Sequence, residues 1–166
     1  GITDTGLRRS LNEDAYFIDT SRCFFAVSDG VGGAAAGEVA SQIFITAVSG
    51  IIKTAEKLSD QEAISAVKET FLKANSEIIE YAGQNPENKG MACTAELLAI
   101  TDGGFVLGHV GDSRTYRYRQ NSLIRLTSDH SFVQQQVELG VITEEEAKTH
   151  RYRNMILRAV GTEETI

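Results

Sequence analysis

Ala92-Cys93-Thr94-Ala95-Glu96-Leu97-Leu98-Ala99-Ile100-Thr101, then Asp102-Gly103-Gly104, then Phe105-Val106-Leu107-Gly108-His109-Val110 reads as two strands joined by a tight turn. The Asp-Gly step is a strong short-range hairpin signal. Thr115 to Arg119 and Leu123 to Leu126 form a second such pair across Gln120-Asn121-Ser122. Four consecutive strands with connections too short for crossover helices call for antiparallel pairing rather than a doubly wound parallel sheet. This separates the chain from the dinucleotide-binding architecture.

Upstream, Tyr16-Phe17-Ile18 and Cys23-Phe24-Phe25-Ala26-Val27 are short aromatic and β-branched runs around the turn-like cluster Asp19-Thr20-Ser21-Arg22, and they predict a further hairpin. From Gly37 to Lys57 the apolar positions Ala40, Ile43, Phe44, Ala47, Val48, Ile51, Ile52 and Ala55 recur at three- and four-residue steps, the stripe of a helix packed on a core. Ser59 with Glu62 makes a capping box that opens a second helix, continuing through Ala63, Val67, Phe71, Ala74 and Ile78 to about Gly83. Ser131 with Gln134 and Thr143 with Glu146 predict two more short helices. Between Gly140 and the turn at Leu157 to Gly161, residues 141–158 are charged in the middle and poor in apolar side chains, which predicts a flap that opens at low cost.

The length, 166 residues with 42% apolar side chains, suits one domain with an ordinary core. Sixteen basic against twenty-three acidic residues leave a net charge of −7, which argues against a sequence-independent grip on nucleic acid or an anionic membrane. No apolar run approaches the ~18 residues that cross a bilayer, and the N-terminal residues lack a secretory pattern, so the expected compartment is the cytoplasm. Cys23 and Cys93 lie in strand-like runs without metal or disulfide spacing and read as buried free thiols.

The chemistry-bearing residues cluster where strands end. Ser28-Asp29-Gly30-Val31-Gly32-Gly33 presents a carboxylate beside pliable backbone between a strand and a helix. It lacks the Gly-Lys-Ser/Thr of a phosphate loop and the GxGxxG order, so nucleotide binding rests on glycines alone. Arg9-Ser10-Leu11-Asn12-Glu13-Asp14 places a cation and two carboxylates before the first strand. On extended backbone Glu13 and Asp14 point to opposite faces, so at most one reaches directly toward a site. Gly111-Asp112-Ser113-Arg114 and Thr127-Ser128-Asp129-His130-Ser131 add further strand-end carboxylates, Asp129 and Ser131 also being plausible helix caps. Several strand-end carboxylates with no second histidine or thiolate near them in sequence suit hard cations such as Mg²⁺ or Mn²⁺ rather than zinc. His109, His130 and His150 show no metal spacing, and no nucleophile elbow is present.

In this order, Arg9-x-x-Asn12-Glu13-Asp14, Asp29-Gly30-x-Gly32-Gly33, Gly111-Asp112-Ser113-Arg114 and Leu126-Thr127-x-Asp129-His130-Ser131 closely resemble the metal-dependent protein serine/threonine phosphatases of the 2C family, bacterial members above all. The resemblance implies an α+β sandwich of two antiparallel sheets flanked by helices. It also implies hydrolysis of phosphoserine and phosphothreonine in proteins by a water bridging two Mn²⁺ or Mg²⁺ ions. Asp29 would bridge the metals and the Gly30 carbonyl would ligate one. Glu13 and Asp14 match acidic positions that hold metal-bound water or support ligands, and Arg9 matches the arginine that clamps the substrate phosphate. Asp112 matches a ligand of a third, weaker ion, to which Asn154 on the flap is a further candidate ligand. Val31 stands where many eukaryotic members carry a histidine, so the leaving oxygen is expected to take its proton from water. Phosphorylated proteins, including serine/threonine kinases and their substrates, are the implied partners. The family pattern continues beyond Ile166 with further metal ligands, so the resemblance implies an incomplete catalytic domain. The competing expectation is a phosphatase-like domain that binds without turnover.

Overall fold

The computed structural model describes residues 1–7, 9–31, 36–52 and 58–166. Strand β1 (Asp14–Asp19) pairs antiparallel with β2 (Phe24–Val31), as the alternating aromatic runs predict. Helix α1 (Gly37–Ile52) follows, and the part of the expected helix at 53–57 lies outside the described residues. Helix α2 (Asp60–Gln84) opens on the complete Ser59/Glu62 capping box. A 3₁₀ turn at Pro86–Asn88 leads into β3 (Ala92–Cys93), β4 (Ala95–Ile100) and β5 (Phe105–Val110). Hairpin β6 (Tyr116–Arg119) and β7 (Ser122–Arg125) precedes α3 (Phe132–Glu138) and α4 (Glu144–Thr149).

Five strands form one antiparallel sheet in the order β1-β2-β4-β5, with β3 on the far end of β2, and β6 pairs only with β7. The core lies between this sheet and the two long helices. Phe24, Ala26, Ala95, Leu97 and Ala99 alternate inward toward α1 and α2, which bury Ala40, Phe44, Val48, Ala63, Phe71, Ala74 and Ile78. Each fully buried large side chain contributes ~1.5–3 kcal/mol. Phe44 and Phe71 join the helices edge to face at 5.4 Å. Gly108 is small because a Cβ there would come 2.6 Å from Phe71 and Val67, so β5 can lie directly on α2. Among the described residues no helix is long and apolar enough to cross a membrane.

The two downstream hairpins both pair antiparallel, as expected, and lie in separate sheets, the chain turning after β5 at Gly111, whose φ is +110. Three sequence readings are corrected. The single strand expected over Ala92 to Thr101 is divided at Thr94. Cys23 is not a buried strand residue: it is half-buried in the β1–β2 turn at φ +60, while Cys93 is fully buried and its thiol is pushed up to about 12 by burial. Ser131 caps α3 through the Gln134 N–H, but Gln134 turns to Glu138 instead of closing a box; Thr143 and Glu146 do close theirs.

Candidate active site

Antiparallel pairing carries the start of β1, the end of β2, the start of β4 and the end of β5 to one end of the sheet. Asp14, Asp29, Thr94 and Gly111-Asp112 are therefore neighbours despite their separation in sequence. Asp14 stands directly opposite Asp29 in the β1–β2 register, so the two carboxyls share a face. The Asp14 N–H donates to Asn12 Oδ1 (3.1 Å), and Asn12 in turn donates to the Thr3 hydroxyl (2.8 Å), which holds the chain entering β1. Glu13 takes the other face. Its main-chain carbonyl accepts from Gly30 N–H (3.1 Å) and from the Ser41 hydroxyl (2.7 Å), and its carboxylate fills the space that a side chain on Gly37 would occupy. Arg9 donates to that carboxylate.

Electrostatics mark Asp29 as the centre. Loss of hydration around its carboxyl, then the charges of Asp14 and Asp112, push its pKa up to about 6, while Arg9 pulls it down. Asp112 is also raised, by burial and by Asp129, with Arg114 and His109 opposing. A cation beside such carboxylates would relieve their mutual repulsion and favour their charged forms.

Behind Asp112 is a packed polar support. Arg114 grips Asp129 through two nitrogens (2.6–3.1 Å) and Arg125 donates to the same carboxylate. His109 lies between the buried Glu96 carboxylate and the Ser128 carbonyl (Nε2 to O, 2.8 Å). Burial works against its charged form, but these two partners override it and raise its pKa. His130 stacks near His109 at 4.7 Å and accepts from Gly111 N–H through Nδ1 (3.2 Å); burial and then the His109 charge lower it. Arg114 and Asp129 are thus engaged with each other, and Ser131 is the helix cap.

Residues 7–160 match the family described as protein phosphatase 2C. The chain belongs to the protein phosphatase 2C family. Protein phosphatase PhpP of Streptococcus pneumoniae is 33% identical over 99% of this chain and 68% of its own length. Serine/threonine protein phosphatase PstP of Mycobacterium tuberculosis is 36% identical over 95% of this chain, which covers 30% of it. The crystal structure of Stp1 from Staphylococcus aureus superposes with a TM-score of 0.91 at 35% identity, over 98% of this chain and 65% of that one. The catalytic domain of PstP in complex with two manganese ions has a TM-score of 0.84 at 34% identity, over 96% of this chain and 65% of that one. This phosphatase 2C chain therefore has the family's α+β fold and spans about two thirds of the length of PhpP and Stp1.

At this end of the sheet the structure brings together Arg9, Glu13, Asp14, Asp29, Gly30 and Asp112. Asn154 lies exposed on the turn after α4, and among the described residues its amide adds no hydrogen bond to the group. Gly32 and Gly33 lie outside the described residues. An all-oxygen set of mutually repelling carboxylates fits a hard divalent cation. Among the described residues no three His, Cys, Asp or Glu side chains converge closely enough to hold a metal ion by themselves, so the set is partial. Sequence reasoning missed Thr94, Ser28 and Ser113, which brace Asp29, and the Glu96–His109 pair, because a hydroxyl or carboxylate inside a strand pattern carries no local signal of its partner.

Proposed function

We propose that this protein hydrolyses phosphoserine and phosphothreonine esters of proteins in a reaction dependent on Mn²⁺ or Mg²⁺. The observation that carries this reading is the Asp29 carboxyl, crowded by Asp14 and Asp112 at a strand end with Arg9 beside it. Asp29 and the Gly30 carbonyl would hold the two cations, Glu13 and Asp14 would orient water and ligands around them, and Asp112 would serve a third ion. When bound, such cations supply an activated water and offset charge on the phosphoryl oxygens. Arg9 binds the substrate phosphate with its planar fork of donors, and its bond to Glu13 presents that fork toward the site. Phosphoproteins, including serine/threonine kinases and their targets, are the substrates that this chemistry suits.

In the full-length protein, phosphate release from a phosphothreonine peptide should require Mn²⁺ or Mg²⁺ and stop in excess EDTA. Undiminished release in EDTA would exclude the metal-dependent mechanism, and cation binding without release would favour a non-catalytic binding domain. In the same assay Arg9→Ala should lose ~1.5–3 kcal/mol in kcat/KM, the range for hydrogen bonds to charged groups, with Mn²⁺ affinity little changed.

Residues 141–158 are proposed as a flap over substrate. Neither α3 nor α4 buries a residue, and the segment is pinned at its base, where Phe132 N–H donates to the Met155 carbonyl (2.9 Å) and Leu157 N–H to the His130 carbonyl (2.7 Å). Little buried area above a fixed base means low-cost opening. Amides 144–153 should exchange far faster than 40–51 and 63–78; equal protection would show a segment anchored to the core.

A further inference from the structure

We infer that Thr94 is the positioning residue for the Asp29 carboxylate and links it to the Asp112 turn. Thr94 is 0% exposed, in the gap between β3 and β4. Its N–H donates to the Asp29 carbonyl (2.8 Å), an ordinary rung of the antiparallel ladder. The reciprocal rung is missing. Asp29 N–H donates instead to Thr94 Oγ1 (2.9 Å), and the Thr94 carbonyl accepts from the Ser28 hydroxyl (2.6 Å). Two side-chain hydroxyls thus replace one backbone bond at the residue that carries the central carboxylate. The Thr94 hydroxyl also lies 2.7 Å from Ser113 Oγ. Because Oγ1 already accepts from Asp29, its own proton is free for Ser113, and a chain of bonds runs from Asp29 through Thr94 to Ser113 beside Asp112.

Packing supports the same role. A Cβ on Gly111 would lie 2.7 Å from the Thr94 side chain, so only a glycine lets the Gly111-Asp112-Ser113 turn close against it. Cys93, one residue earlier, pairs with Gly30 on one side and with Val160 on the other. Segment 92–94 therefore holds the Asp29-Gly30 strand end, the Asp112 turn and the Val160 bridge in one frame. Fixing the Asp29 main-chain N–H with a buried hydroxyl fixes the backbone and the Cα–Cβ bond from which the carboxylate projects. Such outer-shell partners typically carry ~10–100-fold in metal affinity or activity.

This rests on the reading of Asp29 as a metal ligand, and the test separates the two. In the full-length protein, Thr94→Val should weaken Mn²⁺ binding by calorimetry and lower kcat on p-nitrophenyl phosphate, each by ~10–100-fold, while Thr94→Ser recovers most of both. Ser113→Ala, which removes the hydroxyl paired with Thr94 Oγ1, should weaken Mn²⁺ binding several-fold and serves if the valine variant does not fold. Wild-type Mn²⁺ affinity in Thr94→Val or in Ser113→Ala overturns the inference. Equal impairment of the valine and serine variants also overturns it, since shape and not the hydroxyl would then matter. Mn²⁺ binding that is sensitive to Thr94→Val in a protein without phosphoester hydrolysis would retain Thr94 and reject the phosphatase reading.

Discussion

Asp29→Asn is expected to abolish metal-dependent phosphoester hydrolysis and, at the same time, to stabilise the metal-free protein. The activity loss should exceed the ~10–100-fold of a lost outer-shell partner, because a proposed direct ligand is removed. The gain in stability follows from the carboxyl's position. Its pKa is about 6 in the fold against an ordinary 3.8, through lost hydration and then the charges of Asp14 and Asp112. Below pH 4 both folded and unfolded chains hold the proton and nothing is lost. Between about pH 4 and 6 the unfolded chain releases it first, so stability falls as pH rises, and the full penalty is present at pH 7. Asparagine does not ionise and escapes it. Two pKa units correspond to ~2.7 kcal/mol, and screening at this half-exposed site reduces that to about 1 kcal/mol. In a domain of this size that is ~2–4 °C in Tm. Saturating Mn²⁺ should reverse the order, since only the wild type gains binding energy. Retained turnover, or a lower Tm for metal-free Asp29→Asn at pH 7, would contradict this account.

Gly30→Ala should be among the most damaging single-methyl additions in the chain. A Cβ at Gly30 would stand 2.0 Å from the Gly37 carbonyl oxygen and 2.2 Å from its carbon. Both obstacles are backbone, so no rotamer change relieves them. Gly37 cannot retreat freely either, because the Glu13 carboxylate already occupies the space beside it. The expected cost is ~3 kcal/mol or more, at the upper end of overpacking, or roughly 6–12 °C in Tm. Since Gly30 adjoins Asp29 and donates its N–H to the Glu13 carbonyl, Mn²⁺ binding should fail in the fraction that folds. Gly50→Ala is the matched comparison: it lies within α1, where among the described residues a Cβ would meet only the Lys73 ammonium at 3.6 Å, and it should stabilise by ~0.5–1 kcal/mol. A Gly30→Ala protein with the parent Tm and Mn²⁺ affinity would show that the α1 entry moves freely, contrary to this packing.

Much of this molecule was legible in sequence because the relevant signals are local. The 3.6-residue stripe over 40–51, the Ser59/Glu62 and Thr143/Glu146 boxes and the Asp-Gly turn each act within one or two turns of chain, and each forms as expected. The opposite facing of Glu13 and Asp14 follows from the two-residue period of extended backbone, and the structure sends one to Gly37 and the other to Asp29. Four short motifs in family order sufficed for the family itself. Tertiary structure alone decided that Asp14 sits opposite Asp29, that Arg114 is held by Asp129, that Glu96 is buried against His109, and that Thr94 supplies the missing rung at Asp29. These contacts join residues up to 65 positions apart. Register, burial and the opening of one ladder bond depend on how whole strands pack against each other, and no residue's neighbours in sequence record that choice.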